Sequence, residues 1–292
     1  VNKDNTWIRM ADSDIMIKNL ILSSGGIHGY CYIGSFKYLI ENNLLGNIEN
    51  ILGTSAGSIF GLLYILGFNL FEIEELTTKI LPTQWLDINY TSILNFFDDY
   101  GIEEGDKMIK IIKIITNRKL DKPELTFKEL YEYSKINFIV SSVNVNKQKQ
   151  IYFNHENYPD MPIYKAIRMS TSIPLLFKPY KFENELYVDG GIIDPCSVNY
   201  FNNPKETLVL MISGRKYEDL ASFRDFIICL YCCPIEKVRE ESYDKPNIII
   251  FNIKDIKSLN FEITDENIKK IIQEGYDITQ EELPDIIEYF EK

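Results

Sequence analysis

Ile48-Glu49-Asn50-Ile51-Leu52-Gly53-Thr54-Ser55-Ala56-Gly57-Ser58-Ile59-Phe60 joins a short apolar run, 48–52, to a longer apolar, helix-like run, 58–71, through the pattern G-x-S-x-G. A serine on a tight strand-to-helix turn points its Oγ away from the backbone, and Gly53 and Gly57 let that turn form. The helix that follows offers unpaired N–H groups and the positive end of its dipole, both suited to a developing oxyanion. Ser55 is therefore a candidate nucleophile, with a plain glycine-lined turn as the alternative. The uncharged stretch 50–71 is long enough to span a membrane. Its glycine elbow, with Gly61 and Gly67, points instead to a core strand and the buried helix behind the serine.

The rest of the chain alternates in the same way. Helices are expected over 103–116, over 126–133 with Thr126 and Glu129 as a capping box, over 264–275, and over 281–291. Strands are expected over 137–144, 150–153, 207–212 and 247–253. This alternation predicts an α/β fold, a three-layer α/β/α sandwich with a mostly parallel central sheet. The site should lie at the carboxyl ends of the strands. No repeat or linker divides the chain, so an N-terminal extension, 1–17, and one domain, 18–292, are expected.

A nucleophilic serine needs a base, usually histidine. Only His28 and His155 exist, and neither follows the serine and an acidic residue late in the chain, as an α/β-hydrolase triad requires. The alternative is Asp189-Gly190-Gly191, a carboxylate at the end of a strand-like run with two glycines behind it. By itself this is an ordinary D-G turn; paired with Ser55 it is a candidate base. A third feature lies upstream, where Leu20-Ile21-Leu22-Ser23-Ser24-Gly25-Gly26-Ile27-His28-Gly29 runs from a strand into a glycine-rich loop before a helix-like stretch. Such loops present backbone N–H groups to anions. A dinucleotide loop is the competing reading, but G-x-G-x-x-G would need glycine at Ser24.

Glycine loop, G-x-S-x-G and D-G-G, in that order, resemble the patatin-like phospholipase family, whose pattern is G-G-G-x-[R/K]-G, G-x-S-x-G and D-G-[G/A]. The segment Ala166-Ile167-Arg168-Met169-Ser170-Thr171-Ser172-Ile173-Pro174-Leu175-Leu176-Phe177 is also similar to the family's approach to its aspartate, and the resemblance covers about 19–200. It implies a Ser–Asp dyad without histidine, in a lipid acyl hydrolase of the phospholipase A or esterase type that uses no cofactor. Ser55 would attack the ester, Asp189 would take its proton, and N–H groups of Gly25, Gly26 or Gly29 with that of Ala56 would hold the oxyanion. Gly53, Gly57, Gly190, Gly191 and His28 would support the motifs. A free aspartate, with a pKa of about 3.9, is a weak base at neutral pH, so the dyad depends on its surroundings. Two positions depart from the pattern. Ser24 replaces the first loop glycine, and His28 replaces the basic residue. His28 is read either as a phosphate or loop donor, or as a solvent-facing or helix-capping side chain; His155, in a polar turn, is read as surface. The departures motivate a second reading, a catalytically weak protein that binds lipid or a partner.

Net charge −12 disfavours nucleic acid and strongly anionic bilayers. Phospholipid or another acyl lipid is the expected partner, with peripheral membrane contact and a protein activator as further candidates. Five cysteines, Cys31, Cys196, Cys229, Cys232 and Cys233, form no disulfide framework, and no fourth ligand completes a zinc site, so buried reduced thiols are expected and no metal. The N-terminal stretch has no apolar signal core, which suggests an intracellular, cytoplasmic or peripheral setting. The apolar segment 226–234 is read as a core helix, or as an interfacial lip with Lys237 and Arg239 beyond it.

Overall fold

In the computed structural model, residues 16–79, 95–213, 223–242, 245–253, 256 and 263–292 are described. The strands are β1 (Asn19–Leu22), β2 (Asn50–Thr54), β3 (Gly101–Glu103), β4 (Asn137–Asn144), β5 (Lys149–Phe153), β6 (Leu175–Phe177), β7 (Tyr180–Phe182), β8 (Glu185–Asp189), β9 (Thr207–Ile212) and β10 (Ile248–Phe251). The helices are α1 (Cys31–Glu41), α2 (Ala56–Ile65), α3 (Leu70–Lys79), α4 (Phe96–Asp99), α5 (Asp106–Leu120), α6 (Phe127–Ser134), α7 (Ile163–Ser170), α8 (Phe223–Ser242) and α9 (Asp265–Glu291).

Strands β10, β9, β1, β2 and β4 lie side by side in that order, all parallel. They are apolar on both faces, as a parallel sheet covered on both sides must be. Leu20, Ile51, Val140, Leu210 and Phe251 face one core together with Tyr32, Phe60, Leu62, Ile167 and Ile271 of the helices. Ile21, Leu52, Ile139, Val209 and Met211 face a second, smaller core, closed by Cys196, Val198, Tyr200 and Phe201. The α/β class is as expected, with the helical layers unequal in bulk. The antiparallel strand β5 extends the sheet beyond β4, β8 also pairs antiparallel with β4 and carries β7, and β3 pairs with β6 apart from it.

Strand β4 positions the site. Its residues 140–144 carry β5 along one edge. On the other edge, β2 runs parallel as far as Thr54 opposite Ser141. There β8 takes over in the antiparallel sense, with Asp189 opposite Ser142. Each residue of a strand has one neighbour per edge, so β2 and β8 meet end to end on the same side of β4. Their carboxyl ends are set by adjacent residues of one strand.

Several local expectations shift. The helix expected over 103–116 starts at Asp106 and runs to Leu120, because Glu103 ends the strand β3. The run 58–71 is two helices: Gly67 has φ +68° after α2, and Asn69 and Glu72 exchange backbone-to-side-chain bonds of 2.9 Å each to cap α3. The two C-terminal helices are one, α9, which continues through Gly275 and Pro284. Gly275 does not end a helix. It lets α9 cross α1, since a Cβ there would lie 2.1 Å from the Cys31 carbonyl oxygen. The capping box at Thr126 and Glu129 is present as read. The N-terminal extension lies outside the described residues apart from Met16 and Ile17.

Candidate active site

Ser55 has φ 53° and ψ −120°, a backbone state that L residues rarely hold. Such a state costs about 1–3 kcal/mol and persists only where its surroundings impose it. Here they do. A Cβ on Gly57 would lie 2.2 Å from the Leu22 carbonyl oxygen of β1, and one on Gly53 would lie 2.6 Å from Gly57 itself. The Ser55 carbonyl accepts from the Ser58 N–H at 2.9 Å and the Ser58 hydroxyl at 2.6 Å. The Ser55 N–H donates to Ser170 Oγ at 2.8 Å. Ala56 opens α2, so its N–H is one of those a helix start leaves without an intrahelical acceptor.

Asp189 ends β8 and is fully buried. Its Oδ1 accepts the Gly191 N–H at 2.8 Å, and its own N–H donates to the Ser172 carbonyl at 2.9 Å. Gly190 packs on Ser141, and Gln150 donates from Nε2 to both Ser141 Oγ and the Gly190 carbonyl. Ser55 and Asp189, 134 positions apart, are thus brought together by the shared edge of β4.

The glycine loop forms a 3-10 turn, Gly26–Tyr30, before α1. Gly26 has φ +56°, and the His28 N–H donates to the Gly25 carbonyl at 3.1 Å. Gly29 sits inside the turn, where a Cβ would strike Phe60 and Ala56. Ser24 is accommodated: it is buried, and its N–H donates to the Pro195 carbonyl at 2.8 Å. The solvent-facing reading of His28 is corrected. The ring is 1% exposed, and Nε2 lies 2.7 Å from the Ile256 carbonyl, to which it donates, so it ties the loop to the segment beyond β10. His155 is half-buried, stacked on Tyr131 with centroids 3.8 Å apart, and Nδ1 meets Asn137 Oδ1 at 2.9 Å. Asn137 is four residues from Ser141, about 13 Å along the strand, so His155 stands at the far end of β4.

A cavity with about 530 Å3 of empty space, its mouth included, opens at Ser55. Gly26, Ile27, Tyr30, Ile59, Phe60 and Met108 form one part of its wall, and Thr171, Ile173 and Phe177 another. An apolar pocket at a strained serine suits a hydrocarbon chain. Sequence reading assigned no role to Ser170, Ser172, Gln150 or Arg168. Ser170 lies 115 positions from Ser55 and Gln150 lies 40 from Gly190, and only the resemblance around 166–177 marked the segment that holds Arg168, Ser170 and Ser172.

The segment 226–234 lies within α8, which packs against the turn after Asp189. The core reading holds for Cys232, which is buried, with its thiol pushed up to about 12 by burial. Phe226 and Leu230 are instead exposed, as are Ile192 and Ile193 of the adjoining turn. No disulfide joins the five cysteines, and the expectation of buried thiols holds for Cys31, Cys196 and Cys232 but is corrected for Cys229, which is half-buried, and Cys233, which is exposed on α8. Among the described residues no helix is long and apolar enough to cross a membrane.

This arrangement has relatives. A chain of Acanthamoeba polyphaga mimivirus, named only as uncharacterized protein R571, is 28% identical over 86% of this chain and 88% of its own. A protein of Invertebrate iridescent virus 6, named "Probable lipid hydrolase 463L", is 26% identical over 87% of this chain and 84% of its own. Among solved structures, VipD from Legionella pneumophila shares the fold, with a TM-score of 0.61 at 19% identity over 92% of this chain and 67% of that one. The family model for patatin-like phospholipase matches residues 20–201, from β1 through both motif turns to the second core. The chain belongs to the patatin-like phospholipase family.

Proposed function

We propose that this chain is a lipid acyl hydrolase that cleaves ester-linked acyl chains through a Ser55 acyl-enzyme. The observation that carries the reading is the strained Ser55 at the mouth of an apolar cavity, with the buried Asp189 delivered to the next residue along β4. Ser55 Oγ attacks the ester carbonyl carbon and its proton passes to the Asp189 carboxylate. The N–H groups of Ala56 and of Gly25 or Gly26 receive the oxyanion, while Gly29 makes room for Phe60 behind the loop. Collapse of the adduct breaks the ester bond, and the leaving alcohol takes the proton from Asp189. Water then repeats the sequence on the acyl-enzyme and releases the fatty acid.

The partner is an acyl lipid met at a surface. Exposed Tyr100 leads into β3, and exposed Leu175 opens β6, beside the Ile173 and Phe177 wall. Ile192, Ile193, Phe226 and Leu230 lie past Asp189. With net charge −12, a zwitterionic surface is favoured over an anionic one. Replacing Phe226 and Leu230 by serine should weaken co-sedimentation with phosphatidylcholine vesicles, and unchanged binding would count against this contact.

The hydrolase reading is tested with p-nitrophenyl acyl esters and a mixed phospholipid panel on the wild type, Ser55→Ala, Asp189→Asn and His155→Ala. Loss of activity in the first two variants alone supports the dyad. An inactive wild type that still binds lipid would turn the reading toward a lipid-binding protein.

A further inference from the structure

The residues Arg168 to Ser172, at the end of α7, touch both halves of the site and its wall. Ser170 Oγ accepts the Ser55 N–H at 2.8 Å. Two residues on, the Ser172 carbonyl accepts the Asp189 N–H at 2.9 Å. Between them Thr171 lines the cavity and donates to Met108 Sδ at 2.7 Å, and Ile173 lines it next. The nucleophile and the base are therefore each fixed, through backbone N–H, to the same short piece of chain.

That piece is itself anchored by a buried cation. Arg168 is 1% exposed, and burial pushes its guanidinium down to about 10. Nε and Nη2 donate to the Glu104 carbonyl at 3.1 and 2.7 Å, and Nη2 to the Lys178 carbonyl at 3.0 Å. Nη1 donates to Ser172 Oγ, whose own proton goes to the Arg168 carbonyl at 2.6 Å. The planar guanidinium makes these bonds from one rigid fork, which an ammonium cannot reproduce. It also lies over the Phe177 ring of the wall, 5.2 Å from its centroid.

We infer that the end of α7 is the gauge that sets the distance between nucleophile and base. Ser170 is the positioning residue for Ser55, and Arg168, acting through Ser172, is the positioning residue for Asp189. The inference rests on the hydrolase reading for its kinetics, but not for its geometry. The Ser170 hydroxyl accepts the N–H of the strained Ser55 itself, so it adds to the glycine contacts and carbonyl bonds that hold φ 53°. A displacement of about 1 Å at a reacting atom costs on the order of 100-fold in rate.

Two measurements test this on the full chain. Kinetics of p-nitrophenyl ester hydrolysis are compared for wild type, Ser170→Ala, Ser170→Thr and Arg168→Lys. Hydrogen–deuterium exchange of peptides covering 51–57 and 185–191 is followed for the same proteins without substrate. For Ser170→Ala, kcat should fall roughly 10- to 100-fold with KM within about twofold, and exchange should rise in 51–57 but not in 185–191. Ser170→Thr, which restores the acceptor, should recover most of both. Arg168→Lys should raise exchange in 185–191. A purely structural role would lower the melting temperature and leave kcat per folded molecule unchanged. The inference is overturned if folded Ser170→Ala keeps wild-type kcat, or if its 51–57 exchange is unaltered. An inactive wild type with selective exchange in Ser170→Ala would sink the hydrolase reading and leave the gauge standing.

Discussion

The elbow at Ser55 and the crossing of α1 with α9 both bring backbone so close that only glycine fits. At the elbow, a Cβ on Gly57 would lie 2.2 Å from the Leu22 carbonyl oxygen; where α1 crosses α9, one on Gly34 would lie 1.9 Å from the Ile272 carbonyl oxygen. The packing demand is the same, and the outcome differs. At the helix crossing, Gly34 and Gly275 let two helices share the core, and neither has a positive φ. At the elbow the close approach forces Ser55 to positive φ beside an apolar cavity. Glycine by itself marks contact; chemistry appears where the contact distorts a reactive neighbour and a cavity receives it.

Substitutions on the two sides should part company. The largest effect belongs to Ser55→Ala, which should lower ester hydrolysis by about 10^3-fold or more while leaving the melting temperature near that of wild type; equal loss of both would make the elbow a packing site like the crossing. Next, Gly34→Val should cost about 3 kcal/mol in denaturant unfolding, because backbone carbonyls cannot yield, with kcat per folded molecule kept. A change in kcat there would link the crossing to the site. Ser55→Gly should stabilise by about 1 kcal/mol by releasing the strain, and a loss of stability would show that the state at φ 53° is not strained. Away from both places, Thr126→Ala should cost about 1 kcal/mol through the lost cap. The smallest effect is its pH dependence. Lys122, and then the Thr126 N–H, hold the Glu129 carboxylate below its ordinary 4.5. A carboxylate lowered in the folded state stabilises fully above about pH 4.5 and ceases to do so as pH falls through its folded value. Acid titration of unfolding for Glu129→Gln against wild type reads this directly.

The two glycine clusters also differ in how well the sequence announced them. The elbow was legible, because Gly53, Ser55 and Gly57 sit within five residues and the apolar period changes from strand to helix across them. The aspartate turn and the glycine loop were legible for the same local reason. The crossing was misread: Gly275 looked like a helix end, since a glycine after a periodic run commonly is one. Only the packing of α1 shows why the helix goes on, and Thr279, whose hydroxyl donates to the Gly275 carbonyl at 2.7 Å, goes with it. The parallel sheet could be expected from alternation, whereas the exchange of β2 for β8 on one edge of β4 could not. It depends on pairing between segments more than 40 residues apart. Burial of His28 was hidden likewise, since its acceptor, Ile256, lies 228 positions away. The Asn69 and Glu72 cap was present in the sequence as N-x-x-E and could have divided 58–71.

The end-to-end meeting of β2 and β8 has a consequence for how such a chain can change. The separation of Ser55 from Asp189 is counted in residues of β4, not along the 134 positions of chain between them. Segments added between α2 and β3 leave that count and the Glu104 anchor of Arg168 untouched, whereas inserting a single residue between Val140 and Val143 would put the two halves out of step. A lineage is therefore free to rebuild the mouth, and with it the choice of lipid, by lengthening what lies between the strands, while eight residues of β4 keep the measure.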